Sequence, residues 1–167
     1  KLTAKKFTSS TSNHGKNLNF IGKAEIDFYN KNGYLLIKDL FSHQRINELK
    51  KEMDSLIEKQ NPNELRDTFK AGMNFVSRYF LDSGDKIRFF LEADAYNEKG
   101  ELKYPLKECI NKVGHGMHDM NDKFREFSYS NEVKTILKSL GYKKPSIVQS
   151  MYILKGKRIG GEVTPHT

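Results

Sequence analysis

Cysteine is nearly absent from this sequence of 167 residues, which contains only Cys109. A single cysteine cannot form a disulfide within the chain, so this is not a small secreted fold stabilised by disulfides. A free thiol suits a reducing intracellular compartment, cytoplasmic or mitochondrial, and the localisation stays open between the two. We interpret Cys109 as a small core residue rather than a nucleophile.

Long hydrophobic runs and a phosphate-binding loop are also missing. No apolar run approaches the roughly 20 residues that a membrane-spanning helix needs, so we expect no membrane span. Segments 141–144 and 156–157 combine glycine with lysine but lack the Walker A spacing. The sequence therefore predicts neither a transmembrane protein nor a P-loop nucleotide-binding protein.

Acidic residues are missing from the first 23 positions, which hold five lysines and a Ser/Thr cluster at 8–12. This composition predicts a basic flexible arm over residues 1–23. The remnant of an organellar presequence has the same composition, so the sequence does not separate the two readings. The length of the remaining stretch, 24–167, is typical of one domain.

The net charge is +8, from 29 Lys and Arg against 21 Asp and Glu. Clustered basic residues would indicate nucleic-acid binding, because they displace counterions from phosphates. Here Lys and Glu alternate instead, as in 48–59 and 98–108, which is typical of solvated helix faces or hairpins. We therefore expect no nucleic-acid partner.

Aromatic residues are plentiful, with eleven Phe and eight Tyr, so the chain should fold around a core. Three helices are predicted from their caps and apolar spacing. They run over 24–32 with Gly33 as the C-terminal cap, from Ser42 to Asn61–Pro62, and from Ser130 to Gly141.

Strands are predicted over 34–37, 86–93 and 147–154, with turns at 82–85 and 97–100. The short apolar run at 34–37 reads as a buried strand. The expected class is α+β, with helices first and a sheet that is only beginning where the sequence ends.

The segment IGGEVTPHT, residues 159–167, reads as the beginning of a His-x-Asp iron-ligand motif. Two ligands at i and i+2 on a strand end point the same way, and a distant histidine would complete a facial triad with open iron positions. Only the first ligand, His166, is present. The chain by itself is therefore not expected to hold a catalytic iron.

Two further candidates are left open by the residues alone. His115 and His118 are spaced i, i+3 and could form a metal pair, but neighbouring glycines favour turn or cap histidines. Lys112 lies between Ile110 and Val113, and it either extends to water or is a fixed cation that awaits a carboxylate.

Five blocks in this order carry a family resemblance: FYNKNGYLLIKDLFS, DSGDKIRFFLEADA, INKVGHGMHDMNDKFREFSYS, LGYKKPSIVQSMYILK and IGGEVTPH. Together they resemble the phytanoyl-CoA dioxygenase family, and the similarity runs from about Ile26 to the last residue. The family consists of non-haem Fe(II), 2-oxoglutarate-dependent oxygenases on a double-stranded β-helix, or jelly roll. The resemblance implies that residues 24–167 are the N-terminal part of such a domain.

The resemblance also implies roles for four residues. His166 matches the first iron ligand, while Lys112, Met151 and Thr167 match positions that contact the 2-oxoglutarate cosubstrate. The Asp ligand, the distal His and the cosubstrate-clamping Arg have no counterpart in this sequence. Fe(II) and 2-oxoglutarate are thus the expected cofactor and cosubstrate, with the chain as a partial copy of the enzyme.

Two functions from different classes remain. The first is a dioxygenase that hydroxylates an aliphatic C–H bond of a small molecule, of acyl or lipid-like type. The second is a non-catalytic relative that serves as a structural subunit of a larger protein assembly. We favour the first, because a sequence that ends inside an iron motif looks incomplete rather than adapted.

Overall fold

A computed structural model describes residues 21–65, 67–69 and 77–161. Two helices come first, and short helices then alternate with strands. In chain order the elements are α1 (Lys23–Asn32), α2 (His43–Glu58), β1 (Thr68–Phe69), α3 (Arg78–Leu81), β2 (Ile87–Glu92), α4 (Leu106–Cys109), β3 (Ile110–His115), α5 (Met117–Met120), α6 (Asp122–Ser128), α7 (Asn131–Ser139) and β4 (Ser150–Ile153).

The three predicted helices are confirmed, and their caps follow from the sequence. Gly33 ends α1 in the left-handed region at φ 77°, which glycine adopts without a steric penalty. The Ser42 hydroxyl accepts the Arg45 N–H at 3.2 Å and begins α2. In the same way Ser130 begins α7.

The predicted strand at 34–37 is wrong. Residues 34–37 form no regular structure, and Tyr34 and Leu36 are 62% and 72% exposed. The short apolar run predicts a buried strand, but among the described residues it has no strand partner. An apolar run without cross-strand neighbours has no hydrogen-bond ladder to join.

The four strands form one sheet in the order β1-β2-β3-β4. β1 pairs in parallel with β2, and the other two pairs are antiparallel. β2 lies within the predicted strand 86–93, which is confirmed, whereas β4 covers only residues 150–153 of the predicted 147–154. The fold is therefore mixed helix and sheet, with a four-stranded sheet.

One face of this sheet packs against helices and forms the core. Phe89 and Val113 are register partners, as are Val113 and Tyr152, so all three side chains share that face. They belong to a cluster that includes Leu49, Met53 and Ile57, the buried stripe of α2. The opposite face contains Phe90, Lys112, Gly114, Met151 and Ile153, and we call it the lysine face.

Cys109 is fully buried at the end of α4, as expected for a core residue. Burial raises the pKa of its thiol, which disfavours the reactive thiolate. No helix among the described residues is long and apolar enough to cross a membrane. The predicted arm lies mostly outside the described residues, and α1 begins at Lys23.

Candidate functional site

Lys112 lies on the lysine face, in the middle of β3, and is only 6% exposed. Its Nζ lies over three aromatic rings, 3.3 Å from the ring centroid of Phe69, 4.8 Å from that of Phe80 and 5.4 Å from that of Phe90. A cation over ring faces is attracted by their negative quadrupoles.

Each ring reaches Lys112 from a different element. Phe90 is the register partner of Lys112 on β2, Phe69 is in β1, and Phe80 is in α3. The rings also pack on one another, with Phe69 and Phe80 stacked at 5.9 Å and Phe80 and Phe90 tilted at 5.6 Å. The three rings therefore form one cage around the ammonium.

Within the described residues, no carboxylate pairs with Lys112 and no acceptor takes a hydrogen bond from its Nζ. Burial lowers the pKa of Lys112 from 10.5 to about 8, because the charged form loses hydration that nothing else replaces. A buried cation without an anion is costly. The cage is therefore suited to an anionic ligand that would supply the missing partner.

His115 ends β3 and faces the same rings. Its imidazole centroid lies 5.1 Å from that of Phe80 and 5.7 Å from that of Phe90. Its Nδ1 is 2.7 Å from the hydroxyl of Ser83, a residue of the turn at 82–85 that is 1% exposed. Burial, and secondarily the charge of Lys112, lowers the pKa of His115 and keeps the ring neutral near pH 7.

The side chain of His118 bonds to a different serine. In α5, its Nδ1 lies 2.9 Å from the Ser150 hydroxyl, which also accepts the His118 backbone N–H. The imidazoles of His115 and His118, considered as a metal pair from their spacing, thus bond through Nδ1 to two different serines. The part of the chain that the structure covers contains no cluster of three or more metal-ligating side chains.

Met151 lies on β4 directly opposite Gly114 of β3. A Cβ at position 114 would approach the Met151 Cγ to 3.3 Å, so the absence of a side chain there leaves room for Met151. Lys112 pairs with Ile153 on the same two strands. The structure therefore brings Lys112 and Met151, two of the predicted site residues, to neighbouring positions on the lysine face.

Glu92 is the last residue of β2, two positions after Phe90, and is 1% exposed. Its Oε1 has no hydrogen-bond partner among the described residues. A Cβ at Gly161 would lie 2.9 Å from its Oε2, so the backbone at 161 lies directly against this carboxylate. Gly161 is five residues before His166 in the sequence. His166 and Thr167 themselves lie outside the described residues.

The sequence identifies Lys112 as a candidate site residue, but it does not predict which side chains surround its ammonium. The sequence allows two interpretations of this lysine, and the three rings belong to residues 22, 32 and 43 positions before it. The block DSGDKIRFF does carry a signal, because Ser83 and Phe90 both belong to it. Only the pairing of β2 with β3 brings that block to Lys112 and His115.

Comparison with known proteins supports a family assignment. The family model for phytanoyl-CoA dioxygenase (PhyH) matches residues 29–167. A phytanoyl-CoA dioxygenase of Arabidopsis thaliana is 40% identical over 144 residues, which are 85% of this chain and 50% of that protein.

Phytanoyl-CoA dioxygenase domain-containing protein 1 of Mus musculus is 35% identical over 153 residues, 87% of this chain and 53% of the relative. Its homolog in Caenorhabditis elegans is 35% identical over 142 residues, 83% of this chain and 49% of that protein. The chain thus spans about half the length of the curated relatives it matches.

Proposed function

Because the chain belongs to the phytanoyl-CoA dioxygenase family, we propose that its residues are part of an Fe(II)- and 2-oxoglutarate-dependent dioxygenase. The reaction would be hydroxylation of an aliphatic C–H bond in a small molecule of acyl or lipid-like type. The observation that carries this proposal is Lys112, a buried ammonium in an aromatic cage with no anionic partner among the described residues.

Lys112 fits the cosubstrate that the family resemblance implies. 2-Oxoglutarate is a dicarboxylate, and a carboxylate placed against Nζ would form a charge-assisted hydrogen bond. That bond would replace the hydration lost on burial and would raise the depressed pKa of Lys112 again. The cage holds the ammonium at one place, so little conformational entropy is lost when the ligand binds.

The other residues of the proposed site follow from the resemblance. Met151 would contact 2-oxoglutarate beside Lys112, which is compatible with its position opposite Gly114. Thr167 would contact the same cosubstrate, and His166 would be the first iron ligand. Bound Fe(II) and 2-oxoglutarate would supply the oxidising chemistry, while the chain's residues bind, orient and exclude water.

The sheet would serve this function as the first strands of a double-stranded β-helix. Its lysine face exposes Met151 and Ile153, at 43% and 51%, whereas its other face is buried under helices. In a jelly roll a second sheet covers such a face and encloses the ligand. We propose that the lysine face is the interior of that barrel.

Binding of 2-oxoglutarate to the full-length protein tests the proposal. We expect Lys112→Ala to raise the dissociation constant about 10- to 100-fold, because a charged hydrogen bond contributes about 1.5 to 3 kcal/mol. Isothermal titration under anaerobic conditions would measure this. Lys134→Ala is the matched control, since that lysine is exposed in α7 and has no described ion pair.

Equal affinities of the wild type and Lys112→Ala would remove Lys112 from the cosubstrate site. No detectable 2-oxoglutarate binding by the folded wild-type protein would contradict the enzyme function as a whole. That second outcome would support the alternative, a structural subunit whose exposed lysine face is covered by another protein.

A further inference from the structure

The hydrogen bonds of Ser83 fix the tautomer of His115. The Ser83 hydroxyl has one proton, and it donates that proton to the carbonyl oxygen of Phe80. Its contact with His115 Nδ1, at 2.7 Å, must therefore be one in which the hydroxyl accepts. His115 Nδ1 carries the hydrogen, and in the neutral imidazole Nε2 is left with a free lone pair.

The His115 ring adjoins the same aromatic cage as the Lys112 ammonium. Phe80 and Phe90 contact both the His115 ring and the Lys112 ammonium. Among the residues that the structure covers, neither His115 Nε2 nor Lys112 Nζ has a hydrogen-bond partner. An unbonded acceptor and an unbonded donor thus belong to residues that adjoin the same two rings and are 4% and 6% exposed.

Ring faces hold an ammonium in place but do not fix its rotation, because a π cloud has no lone pair that selects one N–H bond. A nitrogen lone pair does select one. An ammonium that gives one hydrogen to a fixed acceptor presents its other two in fixed directions. An ammonium that rotates freely attracts a carboxylate but directs no N–H bond at it. An ammonium of fixed rotation forms a directed hydrogen bond with the carboxylate.

We propose that His115 is a positioning residue for Lys112. When a carboxylate ligand is bound, His115 Nε2 accepts one hydrogen of the Lys112 ammonium and directs the other two at the ligand. Ser83 acts one step further away by holding the imidazole in the required tautomer. This inference rests on the proposed role of Lys112 in binding 2-oxoglutarate.

Two isosteric substitutions separate this role from a purely structural one. His115→Asn keeps an amide N–H near the position of Nδ1, where it can still bond to Ser83, but has no acceptor at the position of Nε2. His115→Gln does the reverse, because its amide oxygen reaches the Nε2 position and nothing faces Ser83. The two variants therefore remove the two bonds of the imidazole one at a time.

The dissociation constant of 2-oxoglutarate is measured for the full-length protein and both variants. We expect His115→Asn to bind about tenfold more weakly, the effect of one hydrogen bond to a charged group, and His115→Gln to stay within about twofold of the wild type. A structural role would give the opposite order, since His115→Gln loses the buried bond to Ser83. That order, or equal affinities, would overturn the proposal.

A second readout does not depend on turnover or on iron. In protein with isotope-labelled lysine, NMR titration in the presence of 2-oxoglutarate gives the pKa of Lys112. Loss of the Nε2 acceptor should lower this pKa in His115→Asn and leave it unchanged in His115→Gln. Arg88, whose guanidinium lies 4.3 Å from the Tyr79 centroid, and Glu92 are the charged residues of the neighbouring strand β2 and are unaltered in both variants.

The two proposals fail in different ways. If the wild type does not bind 2-oxoglutarate, the proposed function fails and the role of His115 fails with it. If the wild type binds and Lys112→Ala does not, but His115→Asn binds like the wild type, only the role of His115 is wrong. Should His115→Asn not fold, Ser83→Ala keeps the imidazole, frees its tautomer and is expected to weaken binding; unchanged binding by Ser83→Ala would overturn the proposal.

Discussion

At the scale of single residues, Lys112 shows how a fold can hold a charge that it does not neutralise. Its stem lies in β3, its ammonium rests on three rings, and its pKa falls to about 8. The sequence predicted a buried environment from Ile110 and Val113 but could not tell a solvated lysine from a caged one. The difference lies in Phe69, Phe80 and Phe90, which only the tertiary structure brings together.

The depressed pKa of Lys112 predicts a pH-dependent stability. The unfolded chain holds this proton up to about pH 10.5, whereas the folded protein releases it near pH 8. Between these values the unfolded state binds more protons, so the free energy of unfolding should rise with pH across this window. Below about pH 8 the buried charge lowers stability by a constant amount.

Replacement of Lys112 by methionine should remove this dependence. At pH 7 we expect Lys112→Met to be more stable than the wild type by about 1 to 3 kcal/mol, because an apolar side chain fills the cage without a desolvated charge. Urea unfolding of both proteins at pH 7 and pH 9.5 measures it, and the difference should shrink at the higher pH. A difference that stays constant, as expected for the surface control Lys134→Met, would contradict the prediction.

At the scale of elements, the sequence predicts the helices from their caps and apolar stripes, but it predicts the strands only in part. Ser42, Gly33 and Ser130 act within a few residues of their own position, so local sequence suffices to place α1, α2 and α7. A strand depends on partners elsewhere in the chain. For that reason the predicted strand at 86–93 is confirmed, the one at 147–154 is longer than β4, and the one at 34–37 is wrong.

The buried side chains of α2 should account for much of the free energy of unfolding that this helix contributes. Met53 is 1% exposed and packs in the core cluster, so Met53→Ala should lower the free energy of unfolding by about 2 to 5 kcal/mol through the cavity that it leaves. Met120→Ala is the matched control, since Met120 is 61% exposed and its truncation should change stability by less than about 0.5 kcal/mol. Chemical denaturation compares the two, and equal effects would show that α2 does not anchor the core.

At the scale of the whole molecule, the sheet has two faces of opposite character. The face under the helices is a closed core, while the lysine face combines a charged cage with exposed Met151 and Ile153. A patch of this kind marks a surface that another part of a protein or a ligand covers. Under the proposed function that surface binds 2-oxoglutarate, an expectation that the sequence supports only through its family resemblance.

His166 carries the corresponding prediction for the full-length protein. As the first proposed iron ligand, it should be required for Fe(II)-dependent decarboxylation of 2-oxoglutarate, so His166→Ala should reduce turnover by at least about 100-fold, the upper end of the effect of an outer-shell partner. His43→Ala is the control, because His43 is exposed at the start of α2. Turnover that persists in His166→Ala would show that the ligand assignment is wrong.

The aromatic cage also has a consequence for covalent chemistry. With a pKa of about 8, Lys112 has a substantial neutral fraction near that pH, and a neutral amine is a nucleophile. A lysine with the ordinary pKa of about 10.4 is almost entirely an ammonium ion there. A small acylating reagent that can enter the cage should therefore modify Lys112 faster than its surface counterparts. A bound carboxylate would raise the pKa of Lys112, so that the amine takes a proton from solvent and is protected. The same rings that prepare an anion site therefore also prepare a reactive amine whenever that site is empty.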